Sequence, residues 1–289
     1  MKLAGVVVLY NPDSSVKDNI NSYLDYVDVV YAVDNSLSDN SKKFDNDKII
    51  YISNGGNKGI AYALNAGARK AIEDGYEWLL TMDQDSRFSD DGINKMKEFI
   101  LENKNSDNSA YEYNKIGLVT PFHRTIFNEN EKPQGIDSPA VVMTSGNIIS
   151  LKAYQAVGGF KDWMFIDAVD FDYCLNLRDH GYDIWRLTYV ELKHNLGNVV
   201  FKDIGKKHMY SLNHSAMRRY YIVRNRHYFY DMYHERWPDF CNAEKGRTSR
   251  EAAKIVLCEK QKFKKLFAML SGYIDYKKGI KGKNKRMGQ

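Results

Sequence analysis

The sequence predicts an α/β domain built on a mostly parallel sheet and followed by a helical extension. Short apolar runs alternate with helix-periodic stretches over the first hundred residues, which is the signature of repeated βαβ units. A turn-rich segment, Asn54-Gly55-Gly56-Asn57-Lys58-Gly59, sits where one strand gives way to a helix. Towards residue 215 the chain becomes aromatic, arginine-rich and finally lysine-rich. A length of 289 residues suits one large α/β domain with an appended part, because single cores stop growing near roughly 250–300 residues. The boundaries expected are 1–215 for the α/β domain and 216–289 for the helical extension with its basic tail.

The strands expected are Leu3–Leu9, Val27–Val33, Lys48–Ile52 and Trp78–Met82, each a short apolar run bounded by polar turn residues. Ser15–Tyr26 and Ile60–Glu73 have helical spacing. Asn103–Asn114 is polar and reads as a surface loop, and Ile116–Thr120 and Ala140–Ile149 as further strands. Asp170–His180 has helical spacing with Gly181 placed to end it, and Tyr189–Leu192 is strand-like. Beyond Met209–Tyr233, the stretch Ala252–Ile274 is amphipathic through Ile255, Val256, Phe263, Leu266, Phe267, Leu270 and Ile274.

An apolar fraction of 43% with 13% aromatics and 5 prolines describes a chain with a packed core, and excludes a disordered one. No run is long and apolar enough to span a bilayer and none opens the chain as a signal peptide would, so the protein is expected in the cytosol. The three cysteines, Cys174, Cys241 and Cys258, have neither metal-ligand spacing nor a disulfide framework and read as reduced. The net charge of +5 hides an asymmetry: from Arg250 onward there are 12 Lys and Arg against 3 Asp and Glu, a surplus of +9 that leaves residues 1–249 at −4. A basic tail on an acidic body argues against nucleic acid as a partner and for peripheral contact with an anionic membrane surface. The alternative is that the amphipathic stripe packs on the catalytic domain and leaves only a basic tail.

The chemistry-bearing signal is Leu79-Leu80-Thr81-Met82-Asp83-Gln84-Asp85-Ser86, an apolar strand ending on two carboxylates one residue apart. Residues two apart in an extended chain point the same way, so both acids can face one hard cation with room left for phosphate oxygens. A departing diphosphate needs such a cation, because negative charge builds up on it as its bond breaks. The plain alternative for an isolated Asp-x-Asp is a solvated turn.

Taken in order, further motifs accompany it: Tyr10-Asn11-Pro12, Val33-Asp34-Asn35-Ser36, Asn57-Lys58-Gly59 with Ala63, Asn65 and Gly67, then Phe165-Ile166-Asp167-Ala168-Val169-Asp170 with Asp172, Lys193-His194, and His214 leading to Arg218, Tyr220, Tyr221, Arg224 and Asn225. In this order the chain resembles a family 2 inverting glycosyltransferase of the GT-A fold, and most of all its rhamnosyltransferase branch. The resemblance implies a metal-dependent transfer of a sugar from a nucleotide diphosphate donor to a hydroxyl of a surface-polysaccharide precursor. The donor implied is dTDP-rhamnose, with a UDP-hexose as the alternative because UDP-hexose enzymes share these motifs. The acceptor is an oligosaccharide or lipid-linked glycan.

The roles it implies fall on Tyr10 and Asp34 for the nucleoside, Asn57 and Gly59 for the base or diphosphate, and Asp83 with Asp85 for Mg2+ or Mn2+. His194 would complete the metal site. From their own chemistry, Arg218, Arg219 and Arg224 are candidates to clamp diphosphate or acceptor, since guanidinium forks match phosphate oxygens, with an ordinary helix carrying solvated arginines as the alternative. The family's general base is the Asp of a Glu-Asp pair before a helix; here the Glu position is Val169, leaving the base between Asp170 and Asp167. For Asn35-Ser36, Asn57 and the two aspartates, ordinary turn and N-cap chemistry is the alternative. Two other classes compete. A sugar nucleotidyltransferase would carry a basic glycine-rich loop after its first strand, where this chain has Tyr10-Asn11-Pro12-Asp13, and a non-catalytic carbohydrate-binding protein would not need Asp83, Asp85 and Asp170 together.

Overall fold

The computed structural model describes residues 1–105, 111–194, 197, 199–205, 207–284 and 286. The chain divides into two compact units, the first formed by Met1–Lys161 with Asp170–Asn195, the second by Asp162–Val169 with Leu196–Gln289. The second therefore takes in more of the chain than an extension beginning at residue 216.

The first unit runs β1 (Leu3–Leu9), α1 (Ser15–Leu24), β2 (Val29–Asp34), β3 (Ile49–Ser53), α2 (Ile60–Glu73), β4 (Trp78–Asp83), β5 (Arg87–Phe88) and α3 (Gly92–Lys104). It continues with β6 (Ile116–Arg124), β7 (Ile136–Asp137), β8 (Asn147–Ser150), α4 (Leu151–Val157), α5 (Val169–Asp179) and β9 (Asp183–Lys193). The sheet order is β3-β2-β1-β4-β8-β6-β9-β5, with β7 paired to β9. The four strands β3, β2, β1 and β4 are parallel, β8 is antiparallel to both β4 and β6, and β6 and β9 are again parallel. This is the mainly parallel, helix-flanked sheet that the alternating pattern predicts.

Parallel strands covered on both faces must be apolar on both, and β1 and β2 are: Leu3, Val7, Leu9, Val30 and Ala32 join the core beneath α1. The other face is closed by α2, which approaches β1 so tightly that a Cβ at Gly67 would stand 2.3 Å from Val6 Cγ2. Only glycine admits that approach. The register pairs Leu9 with Asp34 and Val8 with Asp83, so the carboxyl ends of β1, β2 and β4 lie at one edge, where open α/β sheets bind ligands.

Some elements are shorter than their sequence pattern. Of Ala140–Ile149 only the end is strand, in β8, and Asn103 belongs to the last turn of α3, its amide donating to the Phe99 carbonyl at 2.6 Å. Positions 106–110 of the expected loop lie outside the described residues.

In the second unit a hairpin, β10 (Val200–Ile204) and β11 (Lys207–Ser211), precedes α6 (Ala216–Tyr233), α7 (Pro238–Cys258) and α8 (Lys262–Lys277). The amphipathic stretch Ala252–Ile274 is thus two helices. Glu259 is extended and Gln261 turns through φ +53 between them. The cause is the buried Glu259 carboxylate, which accepts from Arg219 at 2.7 Å, from Lys265 at 2.5 Å and from the Ser211 hydroxyl. Helix α8 crosses α6 where a Cβ at Gly272 would stand 2.4 Å from the Tyr220 carbonyl oxygen. No helix among the described residues is long and apolar enough to cross a membrane.

Candidate active site

Strand β4 ends by delivering Asp83, with Asp85 on the turn beyond it. The short strand β5 then pairs antiparallel with the end of β9, Arg87 opposite Lys193 and Phe88 opposite Leu192. That register carries His194 back to the β4 turn, where Ser86 Oγ lies 3.1 Å from His194 Nδ1. As a result one ligand atom from each of Asp83, Asp85 and His194 falls within 4.8 Å of the others. Two carboxylates and an imidazole, without a thiolate, form a donor set that suits Mg2+ or Mn2+. The residues fit the group that the sequence motif implies.

The surroundings hold this turn. The Asp83 amide donates to Ser145 Oγ at 3.0 Å, and the buried His123 donates from Nε2 to the Ser145 carbonyl at 2.6 Å. Burial pushes the His123 imidazole down to about 4, so it is neutral at physiological pH and adds no charge beside His194. Gln84, between the two acids, turns the other way. Its amide accepts from the Tyr10 N–H at 2.8 Å and donates to the Tyr10 carbonyl at 3.2 Å, tying the loop after β1 to the acidic turn.

Tyr10 itself is exposed at that edge. Asp34 is fully buried; burial pushes its carboxyl up, and donation from Ser36 N at 2.7 Å, Asn40 at 2.9 Å and Tyr51 at 2.7 Å outweighs this and holds it below its usual range. Asp34 thereby shapes the loop after β2, whose Ser36 hydroxyl receives the Asn11 N–H at 2.7 Å. Asn35 reaches the glycine-rich turn, donating to the Gly59 carbonyl at 3.1 Å and accepting from Asn54 at 2.9 Å. Asn57 accepts from the Gly59 N–H at 3.0 Å, and Gly59, at φ +95, starts α2 in a conformation reserved for glycine. Tyr10, Asp34, Asn57, Gly59, Asp83, Asp85 and His194 thus all belong to the first unit, on loops tied to one another by named hydrogen bonds.

Asp170 also belongs to the first unit, in the first turn of α5. It lines a small cavity with Thr81, Thr144, Asn147 and Cys174, and Thr81 is two residues before Asp83 on β4. Asp172, one step further, is buried and paired with Lys161. Val169, where the Glu of the family pair would stand, is buried.

Asp167 belongs to the second unit. Its backbone is left-handed at φ +65, and its carboxylate accepts from Arg218 Nε at 3.1 Å. Burial pushes the Asp167 carboxyl up against the opposing pull of Arg218. Arg224, a candidate clamp for diphosphate or acceptor, is instead fully buried. Its guanidinium donates to the carbonyls of Gly282 at 2.5 Å and of Trp163 and Met164 at 3.2 Å, and to Asn225 Oδ1 at 3.0 Å, leaving its fork occupied by protein. Arg218 is the member of the pair with an exposed side chain.

Gln84, Ser86 and Asn35 stand inside the quoted motifs without a role of their own, and Ser145 lies outside them all. For Gln84 and Ser86 a signal existed, since alternation along an extended segment turns Gln84 away from the flanking acids. Ser145 is brought in only by tertiary pairing.

The glycosyl transferase family 2 profile matches residues 6–151. The chain is 30% identical over 243 residues to the dTDP-rhamnosyl transferase RfbF of Shigella flexneri, covering 76% of this chain and 77% of that one. Among solved structures, S. aureus TarS 1–349 in complex with UDP-GlcNAc superposes with a TM-score of 0.53 at 14% identity, over 94% of this chain and 72% of that chain. GalNAc-T7 with UDP, GalNAc and Mn2+ superposes with a TM-score of 0.55 at 11% identity, over 67% of this chain and 43% of that chain.

Proposed function

We propose that this chain, which belongs to glycosyl transferase family 2, moves rhamnose from dTDP-rhamnose to a hydroxyl of an oligosaccharide or lipid-linked glycan precursor, with inversion at the anomeric carbon. The observation that carries the reading is the convergence of Asp83, Asp85 and His194 at the carboxyl edge of the sheet, beside the Tyr10 and Asn35–Gly59 loops. The choice of rhamnose and of a dTDP donor is supported by the rhamnosyl transferase relative.

Asp83, Asp85 and His194 would hold Mg2+ or Mn2+, whose charge offsets the negative charge that gathers on the departing diphosphate. Tyr10 and the loops shaped by Asp34, Asn57 and Gly59 bind the nucleoside and fix its distance from the acidic turn. Of Arg218 and Arg224, it is Arg218 that keeps an exposed guanidinium for an anionic ligand, while Arg224 gives its own to the chain's carbonyls. Asp170 takes the proton of the acceptor hydroxyl as that oxygen bonds to the anomeric carbon and the bond to the diphosphate oxygen breaks on the opposite face. Asp167 holds Arg218.

A calorimetric screen of dTDP-rhamnose, UDP-glucose and UDP-galactose with Mn2+ and with EDTA tests this. Binding of dTDP-rhamnose that needs Mn2+, and that Asp85→Ala abolishes, is the expected result. Metal-dependent binding of a UDP-hexose alone overturns the donor, and Mn2+-independent binding in both wild type and Asp85→Ala overturns the site.

A further inference from the structure

Helix α8 is amphipathic the wrong way round for a helix that only builds a core. The face it buries carries Lys265, Ala268, Met269, Gly272 and Asp275. Each of the polar members has a partner: Lys265 donates to Glu259 and to Asn213 at 2.7 Å, and Asp275 accepts from Tyr220 at 2.8 Å and Arg286 at 2.6 Å. The opposite face shows Phe263, 90% exposed, Phe267, 68%, Leu270, 54%, and Ile274, 40%. Their spacing of four, three and four residues puts them on a single stripe along the helix. Two phenylalanines left this far in water contribute almost nothing to folding.

Along α8 and its flanking residues the exposed charges have one sign. Lys260, Lys262 and Lys264 stand exposed at one end and Lys277, Lys278 and Lys281 at the other, while the single acid between residues 260 and 284 is the buried Asp275. An apolar stripe whose own helix and flanks expose only cations complements an anionic lipid surface, with side chains reaching the acyl boundary and lysines among the headgroups. A second copy of the same face would set lysines against lysines.

We infer that α8 is the protein's attachment to anionic membranes, lying flat in the interface with Phe263, Phe267, Leu270 and Ile274 immersed. This holds whether or not the sugar-transfer reading does, because it uses none of the site residues.

The test is co-sedimentation of the full chain with phosphatidylcholine vesicles, with and without phosphatidylglycerol, at low and high salt. The protein should pellet with the anionic vesicles, stay in the supernatant with the neutral ones, and be partly released by salt. Phe263→Ser with Phe267→Ser should lower partitioning about tenfold or more, since two exposed rings supply most of the immersed area. Replacing Lys260, Lys262 and Lys264 by Gln should weaken the preference for anionic lipid, Lys277, Lys278 and Lys281 keeping the rest of it. Both variants change exposed positions, and unaltered circular dichroism and Mn2+-dependent donor binding would show that fold and site are intact. Wild-type protein left in the supernatant with anionic vesicles, equal pelleting of wild type and the phenylalanine variant, or a concentration-dependent dimer that this variant abolishes would each overturn the inference.

Discussion

Gln84→Ala separates the two halves of the proposed donor site without touching a proposed metal ligand. The side chain makes two hydrogen bonds to the Tyr10 backbone, at 2.8 and 3.2 Å, across 74 positions of sequence. Each such bond is worth about 0.5–1.5 kcal/mol net, and the exposed setting places both at the low end, so global stability should fall by roughly 1 kcal/mol. The same energy reappears in binding. With the clamp gone, the loop proposed to meet the nucleoside must be ordered against the turn proposed to meet the diphosphate when the donor arrives, and roughly 1.4 kcal/mol is tenfold in Kd. Calorimetry with Mn2+ should therefore show donor Kd raised about fivefold, while kcat at saturation changes little because no group made only in the transition state is lost. Affinity for Mn2+ alone should be unaltered. A donor Kd equal to that of the wild type would refute the coupling between Tyr10 and the acidic turn.

Three other outcomes follow from the same geometry. Asp170→Asn should cut transfer on the order of 100- to 10,000-fold while sparing donor affinity, and Asp167→Asn, whose new side chain suits a left-handed backbone, should keep turnover; steady-state kinetics showing the reverse pattern would exchange the two roles. Arg224→Lys should lower stability by about 3 kcal/mol in a thermal melt, since an ammonium cannot serve the four acceptors that the fork reaches, and an unchanged melt with weakened donor binding would return Arg224 to the diphosphate. The Asp34 carboxyl is held below its unfolded value of about 3.9, so the stability it contributes is fully present above that pH and lost as pH falls through the lower folded value. Tyr51→Phe removes one of its donors and should move the acid-unfolding midpoint to higher pH; an unmoved midpoint would refute that account.

Local signals in the sequence were strong where one element decides its own form. The bounds of β1 and α2 are those that the pattern predicts, because a doubly buried strand is apolar throughout and the Gly59 turn starts its helix sharply. The acidic pair was visible for the same reason, as the end of an apolar strand. What stayed hidden depends on partners far away in the chain. Strand β5 is two residues long, too short for any period, and exists because β9 pairs with it. The break at Gln261 inside an apparently continuous amphipathic stretch is set by Glu259 reaching Arg219, and the burial of Arg224 by carbonyls on either side of it in sequence. Side-chain chemistry could assign a guanidinium to phosphate, but only packing shows which guanidinium is already taken.

The β5–β9 pairing also decides how the site comes apart. Ser86 and His194 are 108 positions apart, so His194 is brought to the acids by strand pairing and not by chain connectivity: β6 holds it from one side, its Arg124 carbonyl receiving the His194 N–H at 3.0 Å, and the two-residue β5 at the sheet margin meets it from the other. Marginal strands open with less free energy than central ones. Warming that frees Arg87 and Phe88 from Lys193 and Leu192 therefore loosens the Asp85–Ser86 turn from His194 while β3, β2, β1 and β4 are still paired and β6 still holds β9. The cluster is a thermal fuse in the circuit of the sheet, and it disconnects before the fold does.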